Sequence, residues 1–176
     1  MTRVVLSIGS NLGDRVSRLQ SVVDTLGERV GATSPIYETD PWGGVDQGPF
    51  LNAVVIAEDP ELDAQGWLRL AQDLERSAER VRGQKWGPRT LDVDLVRVQR
   101  PGGAGHLEDV FSRDDGLTLP HPLTHLRAFV LIPWLAVEPD AELPVADALW
   151  PVARLLADLD PADRAAVRPT DFVLHS

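Results

Sequence analysis

KWGPRTLDVDLV, residues 85–96, decides how the chain is to be read. Its second half, Leu91-Asp92-Val93-Asp94-Leu95-Val96, has the apolar, β-branched composition of a buried strand, yet two aspartates stand in it two residues apart. Side chains of a strand alternate between faces, so Asp92 and Asp94 point one way while Leu91, Val93 and Leu95 point the other. At a rise of about 3.3 Å per residue the two β-carbons stand roughly 7 Å apart. Carboxylates at that spacing repel one another unless a cation lies between them. Lys85, Trp86 and Arg89 crowd against the strand, with a rigid Gly87-Pro88 between. A strand with one solvated face is the plainer reading of a bare D-x-D. Arg89 and the arginines upstream favour a divalent cation such as Mg²⁺, which takes a few carboxylate oxygens and completes its shell with water and phosphate.

Outward from this stretch the chain alternates between two periodicities. Residues 3–9 (RVVLSIG) read as a strand. Ser10-Asn11-Leu12-Gly13-Asp14 then offers capping groups to a helix whose Val16, Leu19, Val22, Val23 and Leu26 repeat at helical spacing. Residues 32–39 (ATSPIYET) read as a second strand, edge or bulged at Pro35; residues 40–49 are a Gly/Pro loop; residues 50–57 (FLNAVVIA) are a third strand. Residues 62–81 give the strongest helix, with Leu68, Ala71, Leu74, Ala78 and Val81 on one stripe, and residues 91–98 the fourth strand. Residues 100–116 are polar and glycine-rich, an exposed excursion with no assigned role. An apolar segment at 128–137 and a short helix near 152–159, with Pro151 suited to its start, complete the chain. The order strand–helix–strand–strand–helix–strand predicts an α+β, ferredoxin-like antiparallel sheet, its helices on one face and its ligand site on the other.

The 176 residues suffice for one domain spanning 1–176, burying close to ~70% of the unfolded surface. There is no cysteine, which excludes disulfides and thiolate metal sites. No apolar run approaches the ~18 residues of a membrane span, and the start is too quickly polar for a signal peptide, so a soluble cytoplasmic protein is expected. A net charge of −10 argues against nucleic acid as a partner. Five of the 17 cations (Arg76, Arg80, Arg82, Lys85 and Arg89) nevertheless fall within fourteen residues. A basic cluster in an acidic protein suits a small anionic ligand. No G-x-x-x-x-G-K-[ST] pattern is present, so side chains, arginine forks above all, would have to hold any phosphates.

RVRGQKWGPRTLDVDLV, residues 80–96, resembles the signature of the 6-hydroxymethyl-7,8-dihydropterin pyrophosphokinases of folate biosynthesis. SIGSNLGDR, YETDPWG, PFLNAVV, LTLPHP and RAFVLIPW match the same family in the same order, so the resemblance runs from about residue 4 to about residue 144. It implies a ferredoxin-like fold and a reaction between two small molecules, ATP and the hydroxymethyl-dihydropterin, with two Mg²⁺ ions; a monomer is the default expectation. The pterin hydroxymethyl oxygen attacks the β-phosphorus and AMP leaves.

The resemblance also assigns residues. Asp92 and Asp94 hold the metal, with Arg82, Arg89 and Asp94 at the reacting centre. Arg80, Arg82, Lys85, Arg89 and Arg127 meet ATP phosphates, Lys85 from a loop at 82–85 that closes on ATP. Leu68, Gln72, Glu75, Trp86, Leu95, Thr118 and His121 are nucleotide contacts. Phe50 and Phe129 stack on the pterin; Asn52 meets its polar edge; Thr39, Asp40, Pro41, Trp42 and Trp86 complete that pocket. Taken without the family, the same residues admit plainer readings: helix surface for Gln72 and Glu75, core for Phe50 and Phe129, a structural hydrogen bond for His121. The aspartate pair alone also suits another Mg²⁺-dependent phosphoryl or nucleotidyl transferase, or a nucleotide sensor without turnover.

Overall fold

The computed structural model describes residues 1–41, 48–82, 90–114 and 116–176, without the side chains of 79–82. Its centre is β1 (Thr2–Ser10), antiparallel on both sides. Here and below, β2 is Val30–Thr33, β3 Tyr37–Thr39, β4 Phe50–Asp59, β5 Asp92–Pro101 and β6 Leu107–Asp109. β7 (Ser112–Asp114) and β8 (Leu117–Leu119) form a separate hairpin, as do β9 (Glu142–Val145) and β10 (Ala148–Pro151); β11 is Val167–Pro169. The main sheet runs β11-β3-β4-β1-β5-β6, with β2 also paired to β4. The excursion at 100–116 is thus the far end of β5, its return strand β6, and β7, the first strand of the β7–β8 hairpin.

The second strand expected at 32–39 is two strands, because the chain leaves the ladder at Pro35, which has no N–H to give. Ser34 compensates: its hydroxyl accepts from Val54 N at 2.9 Å, and its own N–H donates to Val54 O at 2.9 Å. Ile36 buries its side chain in the core while its carbonyl accepts from Thr170 N of the C-terminal segment at 3.2 Å.

Two helices cover one face. α1 (Arg15–Leu26) starts at Asp14, whose carboxylate accepts from Ser17 N at 3.2 Å, and buries Leu19, Val22, Val23 and Leu26. α2 (Ala64–Arg82) buries Trp67, Ala71, Leu74 and Ala78. Trp67, one turn before Ala71, takes the buried place that the sequence stripe gave to its neighbour Leu68. It is 1% exposed, and its indole N–H donates to Thr2 Oγ1 at 2.7 Å. Against these helices the sheet presents alternate residues: Val4, Leu6 and Ile8 of β1, Leu51, Ala53, Val55 and Ala57 of β4, and Val93 and Leu95 of β5.

The opposite face is not left wholly open. α3 (Ala128–Val137) and α4 (Val152–Ala157) cover about half of it, packing Val130, Leu131, Trp134, Val152 and Leu155 on Val5, Val54, Ile56 and Val96. α5 (Pro161–Ala165) leads into β11. The sequence reading missed α3 as a helix because AFVLIPWLAV is apolar all round, giving no stripe, and contains Pro133. No helix among the described residues is long and apolar enough to cross a membrane.

β5 carries a bulge. Leu6 pairs with Leu95 and Val5 with Arg97, so Val96 is an extra residue and the alternation resets there. Val96 belongs to the second core, while Val98 rejoins Val93 and Leu95 in the first. Arg97, 8% exposed, grips Asp109 of β6 through Nε (2.6 Å) and a terminal nitrogen (3.0 Å), and donates to Glu142 O at 2.6 Å. This ties the sheet edge to the β9–β10 hairpin.

Trp134 is fully buried, and its indole donates to Glu138 Oε1 at 3.0 Å. Trp134→Ala is expected to lower unfolding free energy by about 3–5 kcal/mol, as for other large-to-small aromatic changes in cores. Denaturant titration followed by far-UV circular dichroism measures it.

Candidate active site

The uncovered half of the second face forms a cleft of about 580 Å³, within the range of small-ligand pockets. Its floor is three strands in register. Gly9 of β1 lies opposite Asn52 of β4 on one side and Asp92 of β5 on the other, and Ser7 lies opposite Asp94. Phe50, Asn52, Ser7, Gly9, Asp92 and Asp94 all line it. One wall is the segment running into α3, with Leu123, Leu126, Arg127 and Phe129; one end is closed by Thr39, Asp40 and Pro41.

Gly9 is required by close approach. A β-carbon there would stand 2.7 Å from Asn52 Nδ2, so glycine is what admits the amide to the floor. Asn52 and Thr39 are each 5% exposed, and neither Asn52 Oδ1 nor Thr39 Oγ1 has a hydrogen-bond partner among the described residues. Buried oxygens left unsatisfied are costly unless a ligand or water completes them. They lie in the same cleft as the rings of Phe50 and Phe129, and the combination suits a flat heterocycle with a polar edge.

Asp92 and Asp94 are half-exposed on the cleft side of β5, while Val93 and Leu95 are buried on the helix side. The guanidinium of Arg127 lies 3.9 Å from Asp94 Oδ2 and 5.6 Å from the Phe129 ring centre, joining the charged and aromatic parts of the cleft. No cluster of three or more potential metal ligands occurs among the described residues. The aspartates are two hard oxygen donors, a set that fits Mg²⁺ when phosphate and water supply the remaining positions. His121 is fastened by its main chain, donating from N to Val96 O at 3.0 Å, and its Nδ1 accepts from Leu123 N at 3.3 Å. Burial holds its pKa below the ordinary value; the charge of Asp94 opposes this and that of Arg127 adds to it.

Of the residues singled out from sequence, Thr39, Asp40, Pro41, Phe50, Asn52, Asp92, Asp94, Arg127 and Phe129 converge on this one cleft. Others lie elsewhere. Gln72 is exposed on α2, Leu68 packs beside the first core, and Thr118 is exposed on β8. Glu75 reaches the outer edge of β5, where its carboxylate accepts from Val93 N at 3.1 Å. Leu95 follows the strand alternation read from the sequence, its side chain turned into the core and 5% exposed. Sharing the phase of Val93, it presents its main chain to the same outer edge as Glu75. Trp42, Lys85, Trp86 and Arg89, and the side chains of Arg80 and Arg82, lie outside the described residues.

Four lining residues escaped the sequence reading. Ser7 and Gly9 carried a signal, small residues alternating with Leu6 and Ile8 in the first strand. Leu123 and Leu126 carried none, being isolated leucines in a polar segment, 46% and 49% exposed.

Residues 5–139 match the model of a family described as 7,8-dihydro-6-hydroxymethylpterin-pyrophosphokinase. The chain is 63% identical over 168 residues to a Mycobacterium tuberculosis protein named 2-amino-4-hydroxy-6-hydroxymethyldihydropteridine pyrophosphokinase, covering 96% of this chain and 89% of that one. A Mycobacterium leprae protein of the same name is 60% identical over 176 residues, covering 99% and 92%. Among solved structures, the chain resembles a Plasmodium falciparum HPPK-DHPS crystal structure with a TM-score of 0.62 at 13% identity, which speaks for the fold alone. That alignment covers 89% of this chain and 45% of the other, so the chain spans less than half of the solved protein.

In the metal-free protein, His121 is expected to titrate below the ordinary imidazole value of 6.5, since burial outweighs the attraction of Asp94. Asp94→Asn removes a charge that favours the imidazolium, so the midpoint should fall further. Proton NMR of the ring resonances against pH gives both midpoints.

Proposed function

The chain belongs to the 7,8-dihydro-6-hydroxymethylpterin-pyrophosphokinase family, and we propose that it carries out the family's reaction in the cleft on the open half of the sheet. The hydroxymethyl oxygen of 6-hydroxymethyl-7,8-dihydropterin forms a bond to the β-phosphorus of ATP. The bond from that phosphorus to the oxygen bridging it to the α-phosphate breaks, AMP leaves, and the hydroxyl proton is released. The observation that carries this reading is the joining, in one cleft, of an aromatic slot bearing two unsatisfied buried oxygens to a strand bearing two carboxylates.

Each part then has a task. Phe50 and Phe129 would sandwich the pterin, while Asn52 and Thr39 satisfy its edge and are satisfied by it. The rim at Asp40 and Pro41 closes this end, and Trp42 and Trp86 would add to it. Asp92 and Asp94 would hold two Mg²⁺ ions, which when bound neutralise charge between successive phosphates. Arg127, already between Asp94 and Phe129, is placed to exchange its carboxylate contact for a phosphate oxygen. Arg80, Arg82, Lys85 and Arg89 would add cations from the stretch before β5, and Arg82 and Arg89 would act with Asp94 on the reacting phosphate. Leu68, Gln72, Glu75, the main chain of Leu95, Thr118 and His121 would receive the nucleoside. Holding both substrates in line replaces a bimolecular encounter with a positioned one, the main source of rate in such transfers.

The whole span 1–176 is proposed to act as one domain and as a monomer, because residues from 7 to 129 of a single chain line the cleft. A net charge of −10 leaves nucleic acid a poor partner.

Incubation with ATP, Mg²⁺ and hydroxymethyl-dihydropterin should yield AMP and the pterin diphosphate. ADP as product, or ATP binding without turnover, would refute the reading. Asp92→Ala should reduce turnover by roughly 10²-fold or more while leaving the fold intact, by analogy with loss of a single transition-state charge stabiliser. Near-normal turnover at saturating Mg²⁺ would remove the metal assignment. Phe129→Ala should weaken pterin binding by about 1–3 kcal/mol, the range of a base–aromatic stack, with little effect on nucleotide affinity. Calorimetry with each ligand separates the two.

A further inference from the structure

The end of the cleft formed by Thr39, Asp40 and Pro41 is fastened by residues beyond 139, where the family match stops. β11 pairs with β3, placing Val167 opposite Thr39 and Arg168 opposite Glu38. The main-chain N–H of Asp40 donates to Ala166 O at 3.3 Å. Arg168 then spreads its fork over two acidic side chains. One terminal nitrogen donates to Asp40 Oδ2 at 3.0 Å; the other donates to Asp40 Oδ1 at 2.9 Å and to Glu38 Oε1 at 3.2 Å. On the far side of Glu38, Arg15 of α1 lies 3.8 Å from Oε2 and donates to Pro49 O at 2.8 Å. One charge network therefore holds the chain at Glu38 and Asp40, where it leaves β3, and at Pro49, where it enters β4.

The arrangement is poorly explained as a stabilising device. The Arg168 and Asp40 side chains are 45% and 57% exposed, and exposed ion pairs contribute little to stability. What a bidentate fork does supply is direction. Both carboxylate oxygens of Asp40 are engaged by Arg168 and its main-chain N–H by Ala166 O, so the residue is held from two sides beside the buried hydroxyl of Thr39. A rim ordered in advance spares a ligand the cost of ordering it on binding.

We propose that Arg168 is a positioning residue for the pterin substrate, acting through Asp40 and Glu38 to hold residues 39–41 as a fixed rim for the heterocycle's polar edge. The inference rests on the placement of the pterin between Phe50 and Phe129. It makes the C-terminal strand part of the substrate site although no residue of that strand lines the cleft.

The test uses the full chain. For Arg168→Ala, Arg168→Lys, Asp40→Ala and the double variant Asp40→Ala/Arg168→Ala, the dissociation constant of hydroxymethyl-dihydropterin is measured with a non-hydrolysable ATP analogue present. That of the analogue alone, kcat, KM and the melting temperature are measured alongside. Arg168→Ala should raise the pterin Kd and KM by roughly 3–10-fold, the loss expected when a rim must be ordered on binding. The analogue Kd, kcat and melting temperature should stay near wild type. Arg168→Lys, which keeps the charge and loses the fork, should fall between. The double variant should lose less pterin affinity than the two single losses combined, since part of what Arg168 does passes through Asp40.

An unchanged pterin Kd in Arg168→Ala, equal weakening of both ligands, or additive losses in the double variant would each overturn the proposal. Phe129→Ala in the same assay separates the two levels. If it weakens pterin binding and Arg168→Ala does not, only the role of Arg168 fails. If neither does, the ring placement fails and this inference with it.

Discussion

Gly9 stands between Asn52 and Asp92 in the ladder, and the active cleft depends on that register. In β4, β1 and β5 every second residue belongs to the α1–α2 core, so the residues between must fall on the other face together. The apolar set Leu6, Ile8, Leu51, Ala53, Val93 and Leu95 can be buried in only one phase, since a one-residue slip would drive both aspartates into the core. Burying ionised carboxylates without partners costs far more than the hydrophobic gain from any single side chain. The phase that folds is therefore also the phase that presents the amide, the aromatic ring and the carboxylate pair side by side.

The second face is divided between two solvents. Over Val5, Val54, Ile56 and Val96 it is sealed by α3, α4 and the β9–β10 hairpin; beyond Ser7 and Asn52 it is open. The bulge at Val96 lies near the boundary and lets β5 serve both halves, with aspartates toward the cleft and an extra valine under α3. α3 does the same in helical form, since Phe129 near its start lines the cleft while Trp134 one to two turns later anchors the core. Loss of packing at Trp134 would thus reach the stacking ring through the rigid helix that carries both.

Alternation made the floor of the site legible. Asp92 and Asp94 among apolar neighbours, and Asn52 inside FLNAVV, announced a face that was not core, and the four central strands with α1 and α2 followed from period and capping. Two kinds of feature were not readable. α3 has no polar face, so nothing marks it as amphipathic, and its burial is decided by what packs on it from both sides. β11 is three residues long, Val167-Arg168-Pro169, and exists only because β3 offers an edge. The side-chain phase at Leu95 was implicit in the strand reading itself, yet the resemblance named the residue without saying which of its atoms faces a ligand. Local pattern specifies local structure, while contacts between residues more than a hundred positions apart, such as Glu38 and Arg168, leave no local trace.

The central place of β1 bears on how the protein is made. Its partners are residues 51–59 and 92–99, so β1 has nothing to pair with until much of the chain that follows it exists. At about 5–20 residues per second, β1 precedes the completion of β5 by roughly 5–20 s, far longer than a hairpin needs to form. Until β4 is made RVVLSIGS is an apolar strand with two bare edges, and until β5 is made it keeps one, the kind of segment that pairs with strangers. α1 follows it directly in the chain and packs on it in the finished fold, and it can shield one face but neither edge. A nascent chain of this design is most exposed to misassociation before residue 50 and is relieved of it in two steps, as β4 and then β5 arrive.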